Sequence, residues 1–214
     1  MVNLFRPDAD EQLAQKSAEW FAARLGKATA SRMDDICART KTGYSASREN
    51  YAVELALETL TQRKAEGFVK AAMQWGIDKE PEARAAYEVA TGNFVQEVGI
   101  YDHPSIPMSA ASPDGLVGDD GLIEIKCPES KQHLRNLISH KPDTGYMLQM
   151  QWQMACTGRQ WCDFCSYDPR FPEQHQLLIV RVPRDSKLIE DLEKEVRSFR
   201  AEVDAIVEKL RNIK

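Results

Sequence analysis

The stretch that most constrains the fold is residues 112–126, Ser-Pro-Asp-Gly-Leu-Val-Gly-Asp-Asp-Gly-Leu-Ile-Glu-Ile-Lys. Turn chemistry at Asp119-Asp120-Gly121 separates Val117 from Leu122, the pattern of a β-hairpin. Side chains alternate across a strand, so Leu122, Glu124 and Lys126 share one face while Ile123, Ile125 and Cys127 share the other. An acid and an amine are thereby fixed side by side, and the folded-back strand can bring Asp114 alongside Glu124. With the helices and strands along the rest of the chain, the whole reads as a mixed sheet wrapped by helices.

The flanking sequence supplies those elements. Asp8-x-x-Glu11 offers a capping box for a first helix whose stripe is Leu13, Trp20, Phe21 and Leu25, ending at Gly26. A short helix follows Thr29-Ala30-Ser31, and another over residues 47–63 carries Tyr51, Leu55 and Leu60 on one face. Residues 69–90 read as helix, with interruptions expected at Gly76 and Pro81 and a stop at Gly92. Strand signals then take over at 94–101, 122–127, 161–167 and 174–182, with helices at 131–140 and 144–157. The last helix, 186–214, has Leu188, Leu192, Val196, Phe199, Val203, Ile206 and Leu210 at three-to-four spacing. The expected fold class is α/β of the mixed α+β kind, in one domain over residues 1–214, mainly helical over 1–92 and sheet-bearing over 93–214.

Composition narrows the setting. With 214 residues, 43% hydrophobic and 29% charged, the chain is long enough for one generous core and unlike a disordered or collagenous sequence. No apolar run approaches a bilayer span and the start lacks the apolar block of a signal peptide, so a cytoplasmic protein with no membrane partner is expected. Five cysteines, an odd number at no framework-like spacing, suit free thiols in a reducing compartment. The net charge of -5 supplies no overall positive field for nucleic acid, so any such contact must come from locally gathered groups.

Two convergent carboxylates, Asp114 and Glu124, with an intervening backbone carbonyl make an all-oxygen site suited to Mg²⁺. Such a site serves phosphodiester hydrolysis, and Lys126 is placed to orient the attacking water or take its proton. The acid-x-Lys triplet alone is weak evidence, because Glu129-Ser130-Lys131 and Asp185-Ser186-Lys187 repeat it. Only Glu124-Ile125-Lys126 lies among alternating apolar residues behind a hairpin with an upstream Pro-Asp. Taken singly, Arg24 reads as a basic residue closing a helix, Ser31 as a helix cap, Glu80 as an acid before Pro81, and Gln149 and Gln151 as solvent-facing polar residues.

Pro113-Asp114 followed by Glu124-Ile125-Lys126 resembles the signature of the restriction-endonuclease-like nucleases. The wider pattern resembles the phage lambda exonuclease family, also called the YqaJ-type viral recombinases. It runs through Trp20 with Arg24-Leu25-Gly26, Thr29-Ala30-Ser31, Trp75-Gly76 with Glu80, residues 112–116, Glu124-x-Lys126-Cys127-Pro128, Tyr146-Met147-x-Gln149-x-Gln151 and Tyr167-Asp168-Pro169-Arg170. The resemblance implies a restriction-endonuclease-like central mixed sheet flanked by helices. It implies a Mg²⁺-dependent, processive 5′-to-3′ exonuclease on double-stranded DNA ends that releases mononucleotides, leaves a 3′ single-stranded tail and assembles as a ring-shaped homotrimer. Asp114 and Glu124 would ligand two metal ions, Mg²⁺ or alternatively Mn²⁺, with the Ile125 carbonyl, and Lys126 would act on the nucleophilic water. Glu80 would help hold the second ion through its waters; Arg24, Ser31 and Ser112 would form the 5′-phosphate pocket, and Gln149 would lie beside the active site. A phage or prophage origin and a single-strand annealing protein as partner are also implied. Departures are the Ile inside the Glu-x-Lys triplet and the segment between that strand and Gln149. The alternatives are an endonuclease of the same superfamily and a non-catalytic DNA-end-binding subunit, against which the intact Asp114, Glu124 and Lys126 argue.

The other candidates carry less. Cys156, Cys162 and Cys165 with Cys37 invite a four-cysteine cluster, but Cys162 and Cys165 would face opposite sides of a strand, so buried small hydrophobes is the better reading. The four histidines show no zinc spacing. Lys131, His133, Arg135, His140 and Lys141 form a local basic concentration that either solvates a helix face or meets a phosphate backbone.

Overall fold

The computed structural model describes residues 15, 17–64 and 71–213. The capping box at Asp8 and Glu11, Leu13, the start of the 69–90 helix at Val69 and the terminal Lys214 lie outside them. Helix α1 (Ala18–Arg24) is instead capped by Ser17, whose hydroxyl accepts from the Trp20 N–H at 3.1 Å. After β1 (Ala28–Thr29) comes a tight 3-10 turn (Ala30–Arg32) running into α2 (Met33–Cys37). The small hairpin of β2 (Arg39–Thr40) and β3 (Gly43–Tyr44) leads to α3 (Ala46–Thr61). Helix α4 (Ala71–Thr91) passes through both Gly76 and Pro81 without a break. Pro81 forfeits one backbone hydrogen bond, yet Ala83 and Tyr87 in the following turns are fully buried and hold the helix against the sheet.

Residues 94–101 do not form one strand. Val95–Gln96 is β4 and Tyr101–Asp102 is β5, in different sheets, because buried Val98 turns inward between them. Strands β6 (Ser109–Ala111), β7 (Gly115–Val117) and β8 (Gly121–Lys126) follow, the last two forming the expected hairpin with Leu116 opposite Leu122. Then come α5 (Ser130–Ser139), α6 (Thr144–Thr157), β9 (Trp161–Tyr167), β10 (Leu177–Pro183) and α7 (Ser186–Arg211). The expected start of β10 at Gln174 is instead a 3-10 turn over Glu173–His175, entered from Pro172.

A five-stranded sheet in the order β10-β9-β8-β7-β4 is the centre of the architecture. Its pairs are antiparallel except β8 with β9, which run parallel and are joined by the crossover through α5 and α6. A three-stranded sheet, β1-β6-β5, lies beside it. The central sheet divides two cores. Leu122, Cys162 and Phe164 join α2, α3, α6 and α7 on one face. Ile123, Ile125, Cys127 and Cys165 join Ala83 and Tyr87 of α4 on the other. Cys162 and Cys165 thus lie on opposite faces, and all five cysteines are free thiols. The stripe of α7 buries Leu192, Val196, Phe199 and Val203 but closes on Val207, leaving Leu210 half exposed beyond the edge of the core.

Candidate active site

The β7–β8 hairpin sets the site. Gly115 pairs with Ile123, so the residue before it, Asp114, reaches the following rung, where its Oδ2 accepts the Ile125 N–H at 2.7 Å. Gln15 donates to the Pro113 carbonyl at 2.7 Å and to the Val98 carbonyl at 2.8 Å, tying the turn in place. Glu124, only 1% exposed, points to the α6 side of the sheet. Its Oε1 accepts from Lys126 Nζ at 2.5 Å and Gln149 Nε2 at 2.6 Å, and its Oε2 accepts from Gln153 Nε2 at 2.5 Å. The Lys126 ammonium also lies 5.0 Å from the centre of the Tyr146 ring.

A second group converges from the N-terminal segment. Arg24, the last residue of α1, donates from Nη1 to Ser112 Oγ at 3.1 Å, and the Trp20 indole N–H reaches the same oxygen at 3.2 Å. The guanidinium carbon of Arg24 stands 4.4 Å over the Trp20 ring. Ser31, in the 3-10 turn, has its hydroxyl 3.5 Å from that of Thr29. Glu80 of α4 accepts from Arg84 Nη2 at 2.8 Å.

All nine residues singled out by sequence, Arg24, Ser31, Glu80, Ser112, Asp114, Glu124, Ile125, Lys126 and Gln149, line one cleft of about 560 Å³. Gln153 was missed. Its signal was spacing, since residues four apart share a helix face and Gln149 already pointed at the sheet. Of the basic stretch, Lys131, Arg135, His140 and Lys141 are exposed, but His133 is fully buried. Its Nε2–H donates to the His175 carbonyl at 2.9 Å, which fixes the tautomer and leaves Nδ1 to accept from Ser166 at 2.8 Å. His133 is therefore a structural tie between α5 and the sheet rather than a phosphate contact.

The electrostatics of the cleft are those of crowded acids. Burial pushes the Asp114 carboxyl well above the usual carboxylate range; the charges of Glu124 and Glu80 add to this, while Lys126 and the Ile125 N–H oppose it. Burial alone would favour a neutral Lys126 amine, but Glu124 and Asp114 outweigh it and hold its pKa above the ordinary lysine value. Burial lowers the Arg24 pKa, with Tyr51 and Glu58 pulling the other way. No ion pair joins Arg24 to an acid among the described residues, so this cation faces the cleft without a direct counter-charge.

The donor set fits a hard divalent cation. A half-buried Asp114, held protonated the more readily by the charge of the buried Glu124 beside it, is what such an ion relieves. Among the described residues no three His, Cys, Asp or Glu side chains gather around one point. The ion would therefore draw on two carboxylates, a backbone carbonyl and water, the mode Mg²⁺ favours.

A family model described as the YqaJ-like viral recombinase domain matches residues 19–160, a span containing all nine cleft residues singled out by sequence. The chain belongs to this family. Among solved structures, this YqaJ-like chain is similar to LHK-Exo in complex with dAMP, with a TM-score of 0.86. It is equally similar to the alkaline exonuclease LHK-Exo from Laribacter hongkongensis, with a TM-score of 0.85. Identity is 52% in both, over 91% of this chain and 96% of theirs. A phage related exonuclease from Haemophilus somnus 129PT shares the fold at 16% identity, with a TM-score of 0.71 over 86% of this chain and 96% of that one. No curated protein matches the chain. The architecture of the YqaJ-like chain is thus the mixed α/β fold of the phage-type exonucleases, and no helix among the described residues is long and apolar enough to cross a membrane.

Proposed function

We propose that this protein is a divalent-metal-dependent exonuclease. It would digest double-stranded DNA ends from 5′ to 3′, release mononucleotides and leave a 3′ single-stranded tail for phage-type recombination by strand annealing. Kinship with an alkaline exonuclease at 52% identity supports a DNA exonuclease. The observation that carries the finer reading is the shared cleft. An Asp114–Glu124–Lys126 cluster able to act on a phosphodiester opens onto the half-buried Arg24, which pairs with no acid among the described residues, beside the Ser112 and Ser31 hydroxyls. An enzyme that counts inward from a terminal phosphate needs those two features side by side.

The chain's own residues divide the work. The Arg24 guanidinium, held over Trp20, presents a fork suited to a terminal phosphate, and the Ser112 and Ser31 hydroxyls add hydrogen bonds. That grip fixes the distance from the 5′ end to the reacting bond. Asp114, Glu124 and the Ile125 carbonyl would hold two Mg²⁺ ions, or Mn²⁺ in their place, with Glu80 contributing through water. Such ions supply an activated water and neutralise charge on the scissile phosphate and the leaving oxygen. Lys126 Nζ, held as an ammonium against Glu124, would orient that water, while Gln149 keeps Oε1 of Glu124 turned towards the cleft. A homotrimeric ring would keep DNA threaded between cuts, and a single-strand annealing protein would take up the exposed 3′ strand. The test is a pair of substrates in Mg²⁺, a linear duplex and a covalently closed circle. Digestion of the linear DNA alone is expected; prompt cutting of the circle would make the protein an endonuclease.

A further inference from the structure

Gln153 lies behind the cleft, against Glu124, and has no assigned part in this chemistry. Its side chain is fully buried in α6, in a run with Met150, Trp152 and Met154. The Nε2 amide donates to Glu124 Oε2 at 2.5 Å, while Oε1 of the same amide is buried and has no hydrogen-bond partner among the described residues. Burying an amide oxygen unsatisfied is unfavourable, and a methionine of similar length would fill the space without it. What methionine lacks is a donor. The amide orientation is also forced, because a flip would set its oxygen against a carboxylate oxygen.

The two oxygens of Glu124 are held differently. Oε1 meets Lys126 and Gln149 on the cleft side, whereas among the described residues Oε2 is held by Gln153 alone. Gln149 and Gln153, one helical turn apart, grip the carboxylate from both ends and fix its plane. We infer that Gln153 is a positioning residue for the proposed metal site, locking Glu124 so that Oε1 is presented to the cleft. The inference rests on the metal-dependent reading above. Without the Gln153 donor, the carboxylate must be oriented anew each time an ion binds, and affinity falls. Hydrogen-bond partners that orient a ligating carboxylate are worth about 10- to 100-fold in metal affinity.

The experiment is calorimetric titration of Mn²⁺ into DNA-free protein, comparing the parent with Gln153→Met, which keeps shape and removes the donor. The expected result is a dissociation constant raised about tenfold or more. At saturating Mn²⁺, KM for DNA ends should stay within about twofold of the parent, since nothing that grips the end has changed. A purely packing role would leave the Mn²⁺ affinity alone. Should Gln153→Met not fold, Gln153→Ser decides: its shorter hydroxyl cannot span the gap, so the same weakening is expected. Mn²⁺ affinity within twofold of the parent in the folded variant overturns the inference while leaving the nuclease reading intact. A parent protein that binds no Mn²⁺ overturns both.

Discussion

Arg24→Ala separates end recognition from chemistry. In the DNA-free protein the Arg24 side chain makes one hydrogen bond to Ser112 and stacks on Trp20, with no acid paired to it among the described residues. Truncation therefore removes one hydrogen bond and one cation–π contact, each worth about 1 kcal/mol or less at such a site, and relieves a desolvated charge. The net change in Tm should stay below about 4 °C. On a 5′-phosphorylated duplex the loss is larger, because a charge-assisted contact of about 1.5–3 kcal/mol disappears, lowering kcat/KM by roughly 10- to 150-fold. A 5′-hydroxyl duplex has no terminal phosphate to lose, so the variant and parent should digest it at similar rates. Arg24→Lys keeps the charge without the planar fork and should fall between the two. The assay is initial digestion rate on paired 5′-phosphate and 5′-hydroxyl duplexes. Equal losses on both ends would refute the assignment of Arg24 to the terminal phosphate.

Three further perturbations probe other parts of the account. Lys126→Ala should lower kcat by about 10²- to 10⁴-fold with little change in KM for DNA, read from steady-state digestion; parental rates would remove Lys126 from the chemistry. Gly121→Ala places a Cβ 2.1 Å from the Trp161 ring across the β8–β9 pair, and the fused ring cannot yield as a flexible chain end would. Its expected cost is about 1–3 kcal/mol by urea denaturation, and an unchanged midpoint would contradict that packing. Asp168 is buried; burial opposes its charge, but hydrogen bonds from Arg170 and Ser130 prevail and hold its pKa below the ordinary value. Because the folded value is depressed, the stabilisation is full above the unfolded pKa of about 3.9 and is lost as pH falls through the folded value. Asp168→Asn should thus cost about 1–3 kcal/mol at neutral pH, with the urea midpoints of variant and parent converging in acid. A gap that stays constant with pH would show that the charge plays no part.

What the sequence revealed depended on whether the determining contacts were local. The β7–β8 hairpin was legible because its turn residues and its alternation lie within residues 115–126, and α7 because its stripe repeats over seven turns. The two-residue strands β1 and β5 were not. Ala28 becomes a strand residue only by pairing with Ser109, far along the chain, and no local propensity encodes that choice. Pro81 misled for a related reason, since a local helix-breaking signal was overridden by burial of Ala83 and Tyr87 against the sheet. Asp163 shows the limit most plainly. An acid in an apolar strand becomes intelligible only when Tyr87 and Arg181, from α4 and β10, are seen to donate to it at 2.8 Å. At the cleft, residue types and spacing marked Asp114, Glu124, Ile125 and Lys126, and the family resemblance supplied Arg24, Ser31, Glu80, Ser112 and Gln149. The grip of Gln153 on Glu124 needed the helix to be docked before it could be read.

The most direct trial of the central claim is digestion of a duplex labelled separately at its 5′ and 3′ ends, with Mg²⁺ and with chelator, resolving product size over time. The account predicts that 5′ label appears at once as mononucleotide, that 3′ label stays in long single strands, and that chelator stops both. Early release of 3′ label, large internal fragments, or digestion indifferent to chelator would contradict it.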